Sequence, residues 1–217
     1  MSNTGTQPSV TAGVTVVDHP LVRVKLTRLR DKSTPSGEFR RLVREIAMLM
    51  AFEATRTLET LVERIETPLA GYEGKVLAQP VIIAPILRAG LGMAEGMNSL
   101  LSDASTGHIG IYRNEETAEP QSYYLHLPPH VAEAEVLVVD PMLATGGSAI
   151  SAIGKLKEHG VTRIRFVCLV SCTAGIERLC AAHPDVPIFT AEIDPVLNSR
   201  SYIVPGLGDA GDRYFGT

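Results

Sequence analysis

The chain has 217 residues, 45% of them hydrophobic, which is enough for a well-buried core and too apolar for a disordered chain. Twenty lysines and arginines against 24 aspartates and glutamates leave a net charge of −4, which excludes the basic excess of a general nucleic-acid binder. Three cysteines, Cys168, Cys172 and Cys180, are too few for a disulfide framework and form no C-x-x-C pair, so they read as core thiols in a reducing compartment.

Residues 1–13 read as a flexible polar tail, and no apolar stretch flanked by basic residues marks a targeting signal, so a cytoplasmic location is expected. Residues 19–30, HPLVRVKLTRLR, admit two readings: a short helix opened by Pro20, or an irregular extended piece. Thr34 and Pro35 form a helix start signal. Phe39, Leu42, Val43, Ile46 and Met50 then follow the i, i+3, i+4, i+7 spacing of one buried face, and this helix is predicted to run to about Ile65, with room for an interruption.

Short apolar runs next alternate with amphipathic ones: VIIAPI at 81, an alanine- and leucine-containing stretch from 90, HIGIY at 108, VLVVD at 136, a helix over about 147–159, RFVCLV at 165, a helix from 174 and PIFTAEI at 187. The alternation predicts an α/β fold with a mainly parallel central sheet flanked by helices, in a single domain over 14–217. The most apolar run, VIIAPIL, is broken by Pro85 and stopped by Arg88, far short of the roughly 20 residues that cross a bilayer, so no membrane association is expected. Between Ile111, Tyr112 and Tyr123, Tyr124 lies the polar NEETAEPQ, which predicts a projecting β-hairpin arm over about 112–128.

The most informative turn follows VLVVD. In a parallel sheet, ligands bind at the carboxyl ends of the strands, which puts Asp140 at a mouth and not in the core. Gly146 and Gly147 permit positive φ and close approach, and the amides of 144–148 would point into the turn at a helix N-terminus, a nest for a phosphate. The Walker pattern fails because Gly147 precedes Ser148, and G-x-G-x-x-G is absent. The plain alternative is a tight turn in which Thr145 or Ser148 merely caps the helix. Arg88 follows a strand among small residues, a poor place for a structural arginine and a good one for reaching phosphate oxygens.

DPMLATGGS resembles the phosphoribosyl pyrophosphate loop of the type I phosphoribosyltransferases, in the version of the uracil phosphoribosyltransferase family. HPLVRVKLTRLRD, EATRTL, PILRAGLGM, GHIGIYRNEET and YIVPGLGDAGDRYFGT resemble the same family, so the resemblance covers about 19–217. It implies the type I phosphoribosyltransferase fold with a small hood from the N- and C-terminal segments, and transfer of phosphoribosyl from phosphoribosyl pyrophosphate to N1 of uracil. It implies Asp140, Arg88 and Arg113 as catalytic residues. Phosphoribosyl pyrophosphate would be bound by these three with Pro141, Met142, Leu143, Ala144, Thr145, Gly146, Gly147, Ser148 and Asp209, and uracil by Ile203, Gly208, Asp209 and Ala210. Magnesium would travel with phosphoribosyl pyrophosphate, because the chain offers no ready-made metal cage. A homodimer or higher homo-oligomer is implied, and part of the family is activated by GTP.

The chain departs from the family pattern at Val24, Asn114 and His126, which bears on details of the lid and of any nucleotide activation and not on the reaction. His126 and His130 are four apart, but Pro128 and Pro129 between them prevent a helix and with it a metal pair. A regulatory RNA-binding protein of the same fold lacks support from the acidic balance. A purine enzyme would usually place an aromatic and a lysine near the base, where this C-terminal tract has Gly, Asp and Ala; a non-catalytic scaffold leaves Arg88 and Asp140 without a role.

Overall fold

A computed structural model describes residues 13–113 and 120–217. In chain order the elements are β1 (Val14–Val16), α1 (Pro20–Arg30), α2 (Ser36–Ala54), β2 (Thr60–Glu66), β3 (Gly71–Leu77), β4 (Val81–Leu87), α3 (Leu91–Leu100), β5 (Ser105–Thr106), β6 (His108–Arg113), β7 (Pro120–His126), a 3-10 turn (Val131–Glu133), β8 (Glu135–Val139), β9 (Met142–Leu143), α4 (Gly147–Glu158), β10 (Arg163–Cys172), α5 (Thr173–Ala182), β11 (Ile188–Asp194), β12 (Val196–Leu197), β13 (Ile203–Val204) and α6 (Ala210–Phe215). The rest of the predicted tail and the tip of the predicted arm, with Asn114, lie outside the described residues.

The main sheet runs β1-β11-β10-β8-β4-β6-β7, with β5 on β4 and β9 on β10. Its pairs are parallel except β6 with β7. Period-2 alternation divides each central strand between two cores. On β8, Leu137 and Val139 join the cluster that holds Phe39, Val43, Ile46 and Met50 of α2 and Met93 of α3. Val136 and Val138 join the opposite cluster, with Ala152, Ile153 and Leu156 of α4 and Ile176 and Leu179 of α5. Each fully buried aliphatic side chain in these clusters stabilises the fold by roughly 1.5–3 kcal/mol, so the two-sided burial holds the strand ends in a fixed frame.

The ambiguous segment 19–30 is a helix. Pro20 sits in its first turn, and the His19 side chain caps it by accepting from the Leu21 amide at 3.2 Å. The helix predicted to reach Ile65 ends at Ala54, where Thr55 closes it: both its amide and its hydroxyl bond the Ala51 carbonyl. From Thr60 the chain forms instead an antiparallel hairpin, β2 with β3, in register from Thr60↔Leu77 to Glu66↔Gly71. Leu58, Leu61, Val62 and Ile65 happen to share helical spacing, yet the strand residues are exposed throughout, so no buried face selected that period.

The arm predicted at 112–128 corresponds to β6 and β7, paired from His108↔His126 to Arg113↔Pro120. It begins earlier than expected and inside the sheet, since β6 also pairs with β4 at Ile86↔Ile109. Among the described residues, no helix is long and apolar enough to cross a membrane.

Candidate active site

β4 and β8 are adjacent and parallel, paired from Val81↔Glu135 to Pro85↔Val139. From β4 the sheet continues through β6 to one edge, and from β8 through β10 and β11 to the other. This is a topological switch point, where the loops leaving neighbouring strands diverge and a crevice opens at their carboxyl ends. Asp140 leaves β8 into that crevice.

After Asp140 the chain is stitched to β10. The Asp140 amide donates to Val167 O at 3.2 Å, Leu169 and Val170 amides donate to Pro141 O at 3.1 and 3.0 Å, and β9 pairs with Val170 and Ser171. The turn into α4 passes through Gly146 at φ 78°, the left-handed region. Gly146 is the N-cap and no side chain caps α4, so neither Thr145 nor Ser148 does. The first amides of α4 therefore face outward with their helix-end charge available to an anion.

Three contacts brace the turn from behind: Arg178 Nη1 donates to Thr145 O at 2.8 Å, Cys172 Sγ to Ala144 O at 3.0 Å, and Gly175 of α5 packs so tightly that a Cβ there would overlap Ala144 O. A cavity of about 80 Å³ lies against the turn, lined by Asp140 and residues of 142–149.

A second cavity, about 320 Å³, adjoins it and is lined by Ala89, Asp140, Met142, Tyr202, Ile203 and the tract 208–211 among others. Asp140, Met142 and Ala144 belong to both walls. A larger cavity of about 600 Å³ lies elsewhere, between 76–81 at the root of the β2–β3 hairpin and 100–104, and shares no residue with these two.

Asp140 is half-buried, and burial pushes its carboxyl up to about 7, against the lowering effect of the Met142 amide that donates to Oδ1 at 3.2 Å. Among the described residues no cation touches this carboxyl, and a desolvated carboxyl in a cleft is a candidate partner for positive charge.

The structure thus gathers Asp140, Met142, Ala144, Ile203, Gly208, Asp209 and Ala210 around one cleft, and Thr145, Gly146, Gly147 and Ser148 around the turn beside it. Pro141 and Leu143 are buried, so only their main chains can serve a ligand. Asp209, in the cleft wall, uses Oδ1 to cap α6, accepting the Asp212 amide at 2.9 Å. Arg88 is not in the cleft wall: its side chain is 61% exposed, with Nη2 3.8 Å from Asp212 and the guanidinium 5.6 Å from the Phe215 ring centre. Arg113 closes β6, and its side chain lies outside the described residues.

Arg200 and Ser201 line the cleft, and sequence reasoning missed both. It also missed Arg178 and Gly175, whose roles depend on contacts with distant segments, and Asp194, although Asp194 ends the run PIFTAEID as Asp140 ends VLVVD and that pattern could have pointed to it.

A family profile described as "Uracil phosphoribosyltransferase" matches residues 16–217. The uracil phosphoribosyltransferase of Rhizobium leguminosarum bv. trifolii is 56% identical over 94% of this chain and 99% of its own, and that of Dictyoglomus turgidum 58% over the same shares. Among solved structures, the AQ2163 protein of Aquifex aeolicus superposes with a TM-score of 0.90 at 32% identity, covering 94% of this chain and 98% of that one. An adenine phosphoribosyl transferase from Trypanosoma brucei reaches 0.58 at 14% identity over 85% of each chain, a likeness of fold alone. With its cleft, its phosphate-sized turn and a family match along nearly its whole length, the chain belongs to the uracil phosphoribosyltransferase family.

Proposed function

We propose that the protein transfers the phosphoribosyl group of phosphoribosyl pyrophosphate to N1 of uracil, giving UMP and diphosphate. The bond from C1′ to the diphosphate oxygen breaks, the bond from C1′ to N1 forms, and the N1 proton is released. Positive charge develops on the ribose as the diphosphate leaves, so catalysis depends on electrostatic stabilisation at both ends of the breaking bond.

In this reading the turn 144–148 binds the 5′-phosphate through main-chain amides, and Asp140 faces the ribose. Arg88 and Arg113 neutralise the diphosphate, which requires Arg88 to swing from Asp212 toward the cleft. Ile203 and 208–210 meet the edge of uracil with main-chain groups, and Asp209 borders both substrates. The observation that carries this reading is Asp140, a desolvated carboxyl shared by a phosphate-sized cavity and a cleft large enough for a nucleoside. Magnesium would enter on the diphosphate and ribose oxygens and add charge neutralisation of the leaving group, since no three His, Cys, Asp or Glu side chains among the described residues are arranged to hold it.

A second copy of the chain is the partner that the β2–β3 hairpin fits. Leu61, Val62, Ile65 and Tyr72 are exposed, Leu69 at the tip is 97% exposed, and a two-stranded hairpin in water is marginally stable by itself. The body 14–217 is read as one domain in which α1 and the C-terminal tract form the hood.

The test is diphosphate release with phosphoribosyl pyrophosphate and each of uracil, cytosine and guanine, with and without GTP to examine activation. Release with uracil alone is expected; equal release with guanine, or none with uracil, would overturn the assignment.

A further inference from the structure

Asp194 ends β11 at the same edge of the sheet as Asp140, and its side chain is 5% exposed. Arg30, at the last turn of α1, grips it with a fork: Nη1 to Oδ2 and Nη2 to Oδ1, both at 2.8 Å. The Gly206 amide donates to Asp194 Oδ2 at 2.8 Å, and Arg30 Nη1 donates to the Gly206 carbonyl at 3.0 Å. One ion pair therefore holds both polar atoms of a single residue of the C-terminal tract. One residue further, Arg213 Nη1 donates to Leu207 O at 2.8 Å and Nη2 to Asp31 O at 2.6 Å, with its guanidinium 4.4 Å above the Phe39 ring.

A buried ion pair is a poor source of stability unless its geometry is good and its remaining hydrogen-bonding capacity is used. Here the remaining capacity is spent on the backbone between Ile203 and Gly208, two residues of the cleft wall. We propose that Arg30 and Asp194 are positioning residues for the base: they fix the rotation of the peptides between Ile203 and Ala210, and with it the order of donors and acceptors offered to uracil. This rests on the reading that uracil is the acceptor. Neither residue touches substrate.

Arg30→Lys keeps the charge but cannot make the fork together with the contact to Gly206 O; Asp194→Asn keeps the shape but loses the charge. In each folded variant the KM for uracil should rise about tenfold or more while that for phosphoribosyl pyrophosphate stays within about twofold, and discrimination against cytosine should narrow. A purely structural role would move both KM values together, and that result, or an unchanged KM for uracil, overturns the proposal. If Asp194→Asn does not fold, Arg30→Lys decides. Independently of either variant, the Gly206 amide of the unliganded wild type should exchange at least about tenfold more slowly than that of Gly208, and equal exchange overturns the proposal. A wild-type enzyme that ignores uracil would sink the functional reading instead, with Gly206 still protected.

Discussion

Replacing Asp140 by Asn should make the protein more stable and less active at the same time. Burial raises this carboxyl from an ordinary value near 3.9 to about 7. Ionising it in the unliganded cleft therefore costs at most about 4 kcal/mol, and about 2–4 kcal/mol once solvent contact with the half-buried side chain is allowed for.

Below pH ~4 the group is protonated in both folded and unfolded states, and Asn and Asp should differ little. Between about 4 and 7 the folded state holds a proton that the unfolded state has lost, so wild-type stability falls as pH rises and the gap in favour of Asn opens. Above 7 the gap is constant. For a chain of this size it corresponds to a melting-point gain on the order of 5–10 °C at pH 8 and about zero at pH 4, measured by calorimetry at fixed protein concentration. The same variant should lose about a hundredfold in turnover, the scale of removing one charge that faces a transition state. A melting point that does not rise at pH 8, or a difference independent of pH, would refute the buried carboxyl; unchanged turnover would refute its role.

The wild-type kcat/KM should rise with pH to a plateau through an apparent value near 7, and Asp140→Asn should flatten that limb of the profile. Gly146→Val places a β-branched residue at φ 78° with its Cβ 3.1 Å from Gly175 O, and should abolish calorimetric binding of phosphoribosyl pyrophosphate; tight binding would show that the turn is not the anion site. The intact enzyme should prefer uracil to cytosine by about a thousandfold or more in competition assays, because cytosine would leave two buried polar groups unpaired at about 1–3 kcal/mol each. Val62→Glu in β2 should shift the sedimentation of the protein toward the monomer, and an unchanged profile would exclude the hairpin from the interface.

Asp140 and its turn were legible because an apolar strand that stops on an acid and two glycines has few purely structural explanations. The two-faced sheet was legible too, since continuous runs such as VLVV can only be buried on both sides. The β2–β3 hairpin escaped notice because burial is the signal that pattern reading uses, and none of the described residues buries those strands. The braces of the site escaped for another reason: Arg30 and Asp194 meet across 164 positions, and Arg178 reaches Thr145 across 33, distances over which side-chain type alone carries no register. Deleting everything from Gly206 onward is not a clean test of the base site. Because Leu207, Ala210 and Tyr214 are buried, such a truncation would also remove part of the core.

The turn at 144–148, wedged by α5 and Arg178, is a mould set before anything binds. A 5′-phosphate entering it would order little backbone, so its affinity would carry little cost in conformational entropy. That same phosphate is untouched by the reaction and sits identically on phosphoribosyl pyrophosphate and on UMP. In that role, whatever the mould contributes would be uniform along the reaction coordinate: it would retain reactant and product alike and lower KM without raising kcat. In the proposed reading, rate and choice of base are left to Asp140 and to the C-terminal tract that Arg30, Asp194 and Arg213 help to hold.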